Sequence, residues 1–228
     1  MMMRTGAMLV ALLGLAAPAL AQQAKFEVQT QASQSAMTPD QALERLKAGN
    51  ARFVGHAMMP RDWPSEVVAT AAGQYPFAAV LACMDSRAPI EVVFDQGLGD
   101  VFGVRVAGNV VNDDELGSLE YALHAGAKLL VVMGHTHCGA VKGALEDVRL
   151  GNLTGLVAKI HPAIEAAHCS DAKSEACATA VAEQNVRESM REIRARSPLI
   201  AHELDEKKAE LVGAIYDVDT GKVAFLSE

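Results

Sequence analysis

Two continuous apolar runs stand out in the middle of the chain, at residues 76–82 and 129–133. Apolar runs of this length indicate strands that are buried on both faces of a sheet. Less continuous apolar segments give three further strand candidates, at 101–107, 210–217 and 222–226. The last two are separated by Asp219-Thr220-Gly221, which predicts a tight turn between neighbouring strands.

The segments between these strands have the pattern of helices. Thr38 can cap a helix, Pro39 suits its first position, and Gln41 can reach back as in a capping box. We expect Gly49 and Asn50 to end or bend this helix. Further helices are predicted over 115–125, 155–167, 179–196 and 199–208. Strands that alternate with helices predict an α/β fold with a mostly parallel central sheet flanked by helices.

The first 21 residues have the pattern of a secretory signal. Arg4 precedes an apolar run at 7–17, and Ala19-Leu20-Ala21 has the small-x-small form that signal peptidases cleave. The run is short for a bilayer span, so an uncleaved anchor is the less favoured alternative. We therefore expect a cleavable signal peptide over 1–21 and a periplasmic or secreted protein that begins near Gln22.

Composition indicates one globular domain after this signal. Half of the 228 residues are hydrophobic and 21% are charged, which suits a folded domain with a sizeable core. We expect a linker or mobile arm over 22–36 and a single domain over 37–228. The formal net charge is −8, which does not favour a positively charged binding surface, so neither nucleic acid nor an anionic membrane is an expected partner.

The four cysteines divide into two pairs by their surroundings. Cys83 and Cys138 each follow an apolar strand candidate and have other ligand-type residues beside them. Cys169 and Cys177 lie in a polar stretch, where an oxidising compartment favours a disulfide. We interpret the first pair as metal thiolates and the second as a disulfide that closes a short loop; two free thiols are the alternative for the second pair.

Two short motifs carry the candidate chemistry, Cys83-Met84-Asp85-Ser86-Arg87 and His135-Thr136-His137-Cys138-Gly139. Two thiolates and an imidazole are good zinc ligands, and the fourth position decides what the zinc does. Asp85 either closes that position or leaves it to water, and Arg87 offers the carboxylate a bidentate partner instead. A zinc ion whose fourth ligand is water lowers the pKa of that water from about 15.7 to about 7. A catalytic zinc is thus favoured over a closed structural zinc or a disulfide between Cys83 and Cys138.

These motifs resemble the CxDSR and HxxCG motifs of the β-class carbonic anhydrases. The resemblance extends from about residue 37 to the C-terminus and includes 48–53, 99–102 and 105–109. It implies the fold of that family, with an N-terminal helical arm, and a homodimer or dimer of dimers. It also implies a Zn²⁺ ion held by Cys83, His135 and Cys138, with Asp85 as a fourth ligand only when the site is closed to water. Asp85 and Arg87 would form the catalytic dyad.

The resemblance also suggests residues that contact substrate. Gln74 lies where one subclass carries a glutamine that hydrogen-bonds substrate across the dimer interface. Phe102 and Tyr121 fall where that subclass lines its pocket with aromatic rings, although Tyr121 matches only if one gap of a single residue is allowed between the two sequences. Val80 replaces a tryptophan that marks the other, bicarbonate-regulated subclass, so we favour the subclass whose metal stays open. Val106 stands where the family usually has asparagine.

The function implied is the reversible hydration of carbon dioxide to bicarbonate and a proton by zinc-bound hydroxide. Two alternatives stay open on sequence alone. The same scaffold can host the hydrolysis of carbon disulfide or carbonyl sulfide, or the chain can be a non-catalytic periplasmic zinc-binding protein. His137 is a second possible imidazole ligand, although the HxxC spacing favours His135.

Overall fold

The computed structural model describes residues 27–169, 171 and 173–227. The predicted signal peptide and the first residues of the predicted linker lie outside these residues. Within them, one sheet has five strands in the order β2-β1-β3-β4-β5. The strands are β1 Ala78–Ala82, β2 Val101–Arg105, β3 Leu129–His135, β4 Glu210–Tyr216 and β5 Val223–Phe225. The first four are parallel, and β5 joins β4 in the antiparallel sense.

Helices cover both faces of this sheet. They are α1 Gln31–Ala36, α2 Pro39–Val54, α3 Trp63–Thr70, α4 Ile90–Val93, α5 Asp113–His124, α6 Gly139–Leu145, α7 Gly151–Ala158, α8 His161–Ala167, α9 Glu175–Arg196 and α10 Pro198–Asp205, with a 3₁₀ turn at Ala107–Asn109. Alternate residues of each strand point to opposite faces. Leu81 therefore joins a core with α5, α6, α9 and α10, whereas Val80 joins a second core with α2 and α4.

The register of the parallel strands places the residues that follow β1 and end β3 at the same edge of the sheet. Ala78 of β1 lies opposite Leu129 of β3, and Ala82 lies opposite Met133. Cys83 directly follows β1, and His135 is the last residue of β3. In parallel α/β sheets, sites form where the carboxyl ends of strands meet. The pairing therefore brings the two predicted motifs to the same edge.

Part of the segment predicted as a linker or mobile arm is helical, at Gln31–Ala36. Thr30 caps α1 in a capping box with Ser33. Gln34 is buried, and its Nε2 donates to the carbonyls of Pro76 (2.7 Å) and Ala125 (3.0 Å). The segment is polar because a glutamine, rather than an apolar side chain, fastens it to the domain.

The expected end or bend of α2 at Gly49 and Asn50 was wrong, because the helix continues to Val54. A Cβ added at Gly49 would lie 1.8 Å from the carbonyl oxygen of Phe94. Asn50 Nδ2 donates to the carbonyls of Val93 and Gly221, at 3.0 and 2.9 Å. These two residues allow a close approach between elements and do not interrupt the helix.

The helix predicted over 155–167 is in fact two, α7 and α8, which are separated at Lys159 and Ile160. Ile160 is fully buried at this break, and Pro162 takes an early position in α8 that tolerates proline. α9 begins at Glu175 with Ser174 as its cap, earlier than predicted. Among the helices of the described chain, none is long and apolar enough to cross a membrane.

Candidate metal centre

Three buried side chains converge at the carboxyl edge of the sheet. Cys83 follows β1, His135 ends β3, and Cys138 is the residue that precedes α6. One ligand atom of each lies within 4.8 Å of the other two. The two sulfurs are 4.0 Å apart and unbonded, so the two cysteines form a pair of thiols rather than a disulfide. This is the set of two sulfurs and one imidazole that the sequence predicted.

The imidazole of His135 is oriented by its own neighbour. Its Nδ1 lies 2.8 Å from the carbonyl oxygen of Thr136, which can only accept, so Nδ1 carries the proton. Nε2 is therefore an acceptor with a free lone pair, and this buried atom has no hydrogen-bond partner among the described residues. A metal-ligating histidine is fixed in the same way, by a hydrogen bond to its other nitrogen.

The electrostatics of the two thiols suit a cation. A hydrogen bond from Cys138 lowers the pKa of Cys83 against the opposing effect of burial, and the backbone N–H groups of Gly108 and Asp85 lower it further. The Cys83 thiolate and burial in turn raise the pKa of Cys138. Cys83 is therefore the thiol that ionises first, while Cys138 keeps its proton. Since the thiolate is the metal ligand, the donor set fits a soft divalent ion such as zinc.

Asp85 lies beside this cluster but is held by Arg87. Arg87 Nε donates to Asp85 Oδ1 at 3.0 Å and Nη2 donates to Oδ2 at 2.8 Å, a bidentate pair. The Arg87 side chain, by hydrogen bonding, holds the pKa of Asp85 well below its usual range. Asp85 Oδ2 is 3.8 Å from His135 Nε2, and Asp85 is not a member of the three-residue group. The carboxylate of Asp85 is thus engaged by Arg87 and not by the three-residue group.

Arg105 holds the loop that carries Asp85 in place, a role that neither of the two ligand motifs indicated. Its Nε donates to the carbonyl of Cys83 at 3.1 Å, and its Nη2 donates to the carbonyl of Asp85 at 2.6 Å. The available signal was a charged residue at the end of an otherwise apolar strand candidate. An arginine there can reach across to the neighbouring strand end, where the loop carbonyls need donors.

The chain is similar to proteins of known function. The carbonic anhydrase family model matches residues 78–223. Carbonic anhydrase 2 of Mycobacterium tuberculosis is 37% identical over 191 residues, which cover 81% of this chain and 91% of that protein. A carbonic anhydrase of Mycolicibacterium smegmatis is 37% identical, over 83% of this chain and 94% of its own length. A solved β-carbonic anhydrase of Aspergillus fumigatus superposes with a TM-score of 0.66 and 26% identity, over 82% of this chain and 90% of that one.

The chain belongs to the β-class carbonic anhydrase family. The predicted α/β fold with a mostly parallel sheet and the predicted carbonic anhydrase activity are thereby confirmed. The enzyme interconverts carbon dioxide and bicarbonate, and the non-catalytic alternative is set aside.

The substrate-contact residues predicted for this carbonic anhydrase lie far from its own metal cluster. Gln74 is exposed and precedes the amino end of β1, and Phe102 is paired with Ala79 near that same end. The ring of Tyr121 packs edge-on against Phe102, with centroids 5.9 Å apart. Cys83 follows the other end of β1, and five strand residues span about 16 Å. Phe102, with the ring of Tyr121 against it, therefore lies towards the opposite end of β1 from Cys83.

Two other predicted features of the carbonic anhydrase lie around the cluster. The structure joins Cys169 to Cys177, with Cα atoms 5.5 Å apart. The ring of His137 lies between carboxylates, with Nδ1 2.9 Å from Glu175 and Nε2 2.9 Å from Asp219. Since both of its nitrogens are engaged away from the sulfurs, His137 is not placed as a metal ligand.

Proposed function

We propose that this enzyme hydrates carbon dioxide with a zinc ion held by Cys83, His135 and Cys138. The observation that carries the proposal is the convergence of two buried sulfurs and the unpartnered Nε2 of His135 within 4.8 Å. Sulfur and imidazole donors favour zinc over harder cations. When bound with an open position, zinc supplies a Lewis acid that makes water a nucleophile near neutral pH.

Asp85 and Arg87 divide the work beside that position. Asp85 stays ionised because Arg87 depresses its pKa, so its oxygens accept hydrogen bonds and carry no proton of their own. We assign to Asp85 Oδ2 the role of accepting the O–H of the reacting water, which orients the water's lone pair towards carbon dioxide. Arg87 keeps the carboxylate from becoming a fourth ligand. The released proton leaves to buffer.

A second copy of the chain would complete the site. Phe102 lies towards the opposite end of the strands from the cluster, with Tyr121 packed against it, which favours a contact with another copy's site. β2 is an edge of the sheet as described, with Phe102 and Val104 half-buried on it and Tyr121 exposed beside it. Edge strands with apolar neighbours favour association. We propose a homodimer, or a dimer of dimers, in which these residues contact substrate held by the partner.

Export is proposed from the N-terminal pattern alone, since residues 1–26 lie outside the described structure. The pattern of Arg4, the apolar run at 7–17 and Ala19-Leu20-Ala21 favours cleavage before Gln22 and a periplasmic or secreted enzyme. N-terminal sequencing of protein recovered from the periplasm and medium tests this. A mature protein that begins at Gln22 is the expected result, and recovery in the cytosol with Met1 intact contradicts it.

Metal analysis combined with a stopped-flow hydration assay tests the zinc proposal. We expect one zinc per chain by mass spectrometry, loss of carbon dioxide hydration after chelation, and recovery when zinc is restored. His135→Ala is the matched control, because it removes the unpartnered Nε2 while leaving both sulfurs in place. Full hydration activity in a chain that carries no metal would contradict the proposal.

A further inference from the structure

A strained turn provides one of the hydrogen bonds to the metal cluster. In the 3₁₀ turn Ala107–Asn109, the backbone N–H of Gly108 donates to Cys83 Sγ at 3.3 Å. Gly108 and Asn109 both have positive φ, 67° and 44°. Left-handed backbone costs free energy for most residues with a side chain, and although asparagine tolerates it better than others, contacts with the surroundings help to hold Asn109 in it.

Helix α9 supplies that hold through two polar side chains. Asn185 Nδ2 donates to the carbonyl of Gly108 at 2.7 Å, and Ser189 Oγ donates to the carbonyl of Asn109 at 3.2 Å. The two residues are one helical turn apart, on the same face of α9, and are only 3% and 4% exposed. Losing either donor would leave a buried carbonyl without its hydrogen bond, which is costly away from water.

Apolar contacts limit the turn from another side. A Cβ added at Gly108 would lie 2.9 Å from Ile160 Cδ1 and 3.1 Å from Ala140 Cβ. Ile160 precedes α8, and Ala140 lies in α6, which also follows Cys138. The turn therefore rests against apolar groups and is fastened by hydrogen bonds to α9. Its amide has little freedom to follow the sulfur if the sulfur moves.

We infer that Asn185 and Ser189 are positioning residues for the metal centre. They fix the Gly108 N–H on the sulfur of Cys83 and so hold that thiolate in its ligating position. Neither side chain touches a ligand, and nothing in the sequence motifs points to them. The inference rests on the proposed zinc site and adds to it the α9 contacts that keep one ligand in place. Partners behind the ligands commonly affect metal affinity strongly.

The test compares Asn185→Ala and Ser189→Ala in the full-length enzyme. Each variant is loaded with cobalt(II) for thiolate-to-cobalt charge-transfer absorption, and with zinc for release to an excess of a chromogenic chelator. We expect a shifted charge-transfer band and zinc release roughly 10-fold faster than in the wild type. Ser189→Thr keeps the hydroxyl donor and should restore both readouts towards the wild-type values.

Ile193→Ala is the matched control, because Ile193 is fully buried further along α9. This variant should unfold at lower denaturant concentration while keeping the wild-type band and release rate. Wild-type values for both Asn185→Ala and Ser189→Ala would overturn the inference, as would an equal change in Ile193→Ala. If Asn185→Ala does not fold, Ser189→Ala and its threonine variant carry the test. A wild-type protein that binds neither metal would instead overturn the proposed zinc site.

Discussion

Adding a single methyl group at Gly134 should separate the sheet from its longest helix. Gly134 lies in β3 immediately before His135, and a Cβ there would be 2.8 Å from Val186 Cγ2 and 3.0 Å from Ile215 Cδ1. Carbon atoms pack at about 3.5–4.0 Å, so Gly134→Ala requires the stiff, β-branched Val186 side chain, or α9 that carries it, to shift by roughly 0.7 Å or more. Overpacking of this kind costs about 1–3 kcal/mol of the free energy of unfolding.

A second substitution turns this estimate into a stringent test. Val186→Ala removes the nearer clashing carbon from a fully buried side chain, and alone should cost about 2 kcal/mol through lost burial and a small cavity. In the double variant the new methyl occupies part of the space that Val186 leaves. The combined loss should therefore be about 1 kcal/mol or more smaller than the sum of the two single losses.

Guanidinium denaturation at one fixed zinc concentration measures this coupling, and zinc release reports whether His135 has moved. We expect Gly134→Ala to release zinc faster, and the double variant to return towards the wild-type rate. Single-variant losses that add within about 0.5 kcal/mol would refute the steric argument, because independent sites behave in that way. A variant Gly134→Ala as stable as the wild type would refute it directly.

The remaining predictions concern the site, the assembly and pH. Arg87→Ala should lower carbon dioxide hydration at least roughly 10-fold with zinc retained, because Asp85 loses its bidentate partner, and Arg87→Lys should recover only part; unchanged turnover contradicts this. When His135→Ala and Gln74→Ala chains are mixed and refolded, the mixture should hydrate carbon dioxide faster than either variant alone. A mixed dimer contains one intact site, because the Gln74→Ala chain keeps its own His135 and receives Gln74 from its partner; no gain in hydration rate would count against a site shared between two chains. Burial raises the pKa of Asp100 to about 6, from an ordinary 3.8. The folded state therefore binds more protons between these values and loses stability as pH rises through them; Asp100→Asn should lack this loss in urea titrations, and parallel pH profiles would oppose it.

The candidate metal ligands could be predicted from the sequence because the residues next to each one in the chain indicate where it lies in the fold. Cys83 directly follows a continuous apolar run, and His135 ends the structural strand that contains another. Runs of this kind form neighbouring parallel strands, and residues just beyond them meet at one edge. The spacing of His135 and Cys138 then supplies the third ligand from the same loop. Local pattern and sheet geometry together were enough for these residues.

The supporting contacts could not be predicted in this way, because they join residues far apart in the chain. Asn185 meets Gly108 across 77 positions, and Gln34 reaches Ala125 across 91. A polar residue inside a helix gives no sign of which carbonyl it will find. Gly49 misled for a related reason, since its lack of a side chain serves a contact with Phe94 rather than a helix end. Tertiary packing overrode the local signal there.

The register between β1 and β3, with Ala78 opposite Leu129, affects the stability of the folded chain. A slip of one residue in this pairing would turn the side chains of one strand to the opposite face and separate Cys83 from His135, so the three candidate ligands converge only in the native register. An ion that binds only this register draws the folding equilibrium towards it by mass action, by about 2.7 kcal/mol at a hundredfold excess over the dissociation constant. The supply of the proposed zinc ion would therefore help to set the free energy of unfolding of the enzyme, as well as its activity.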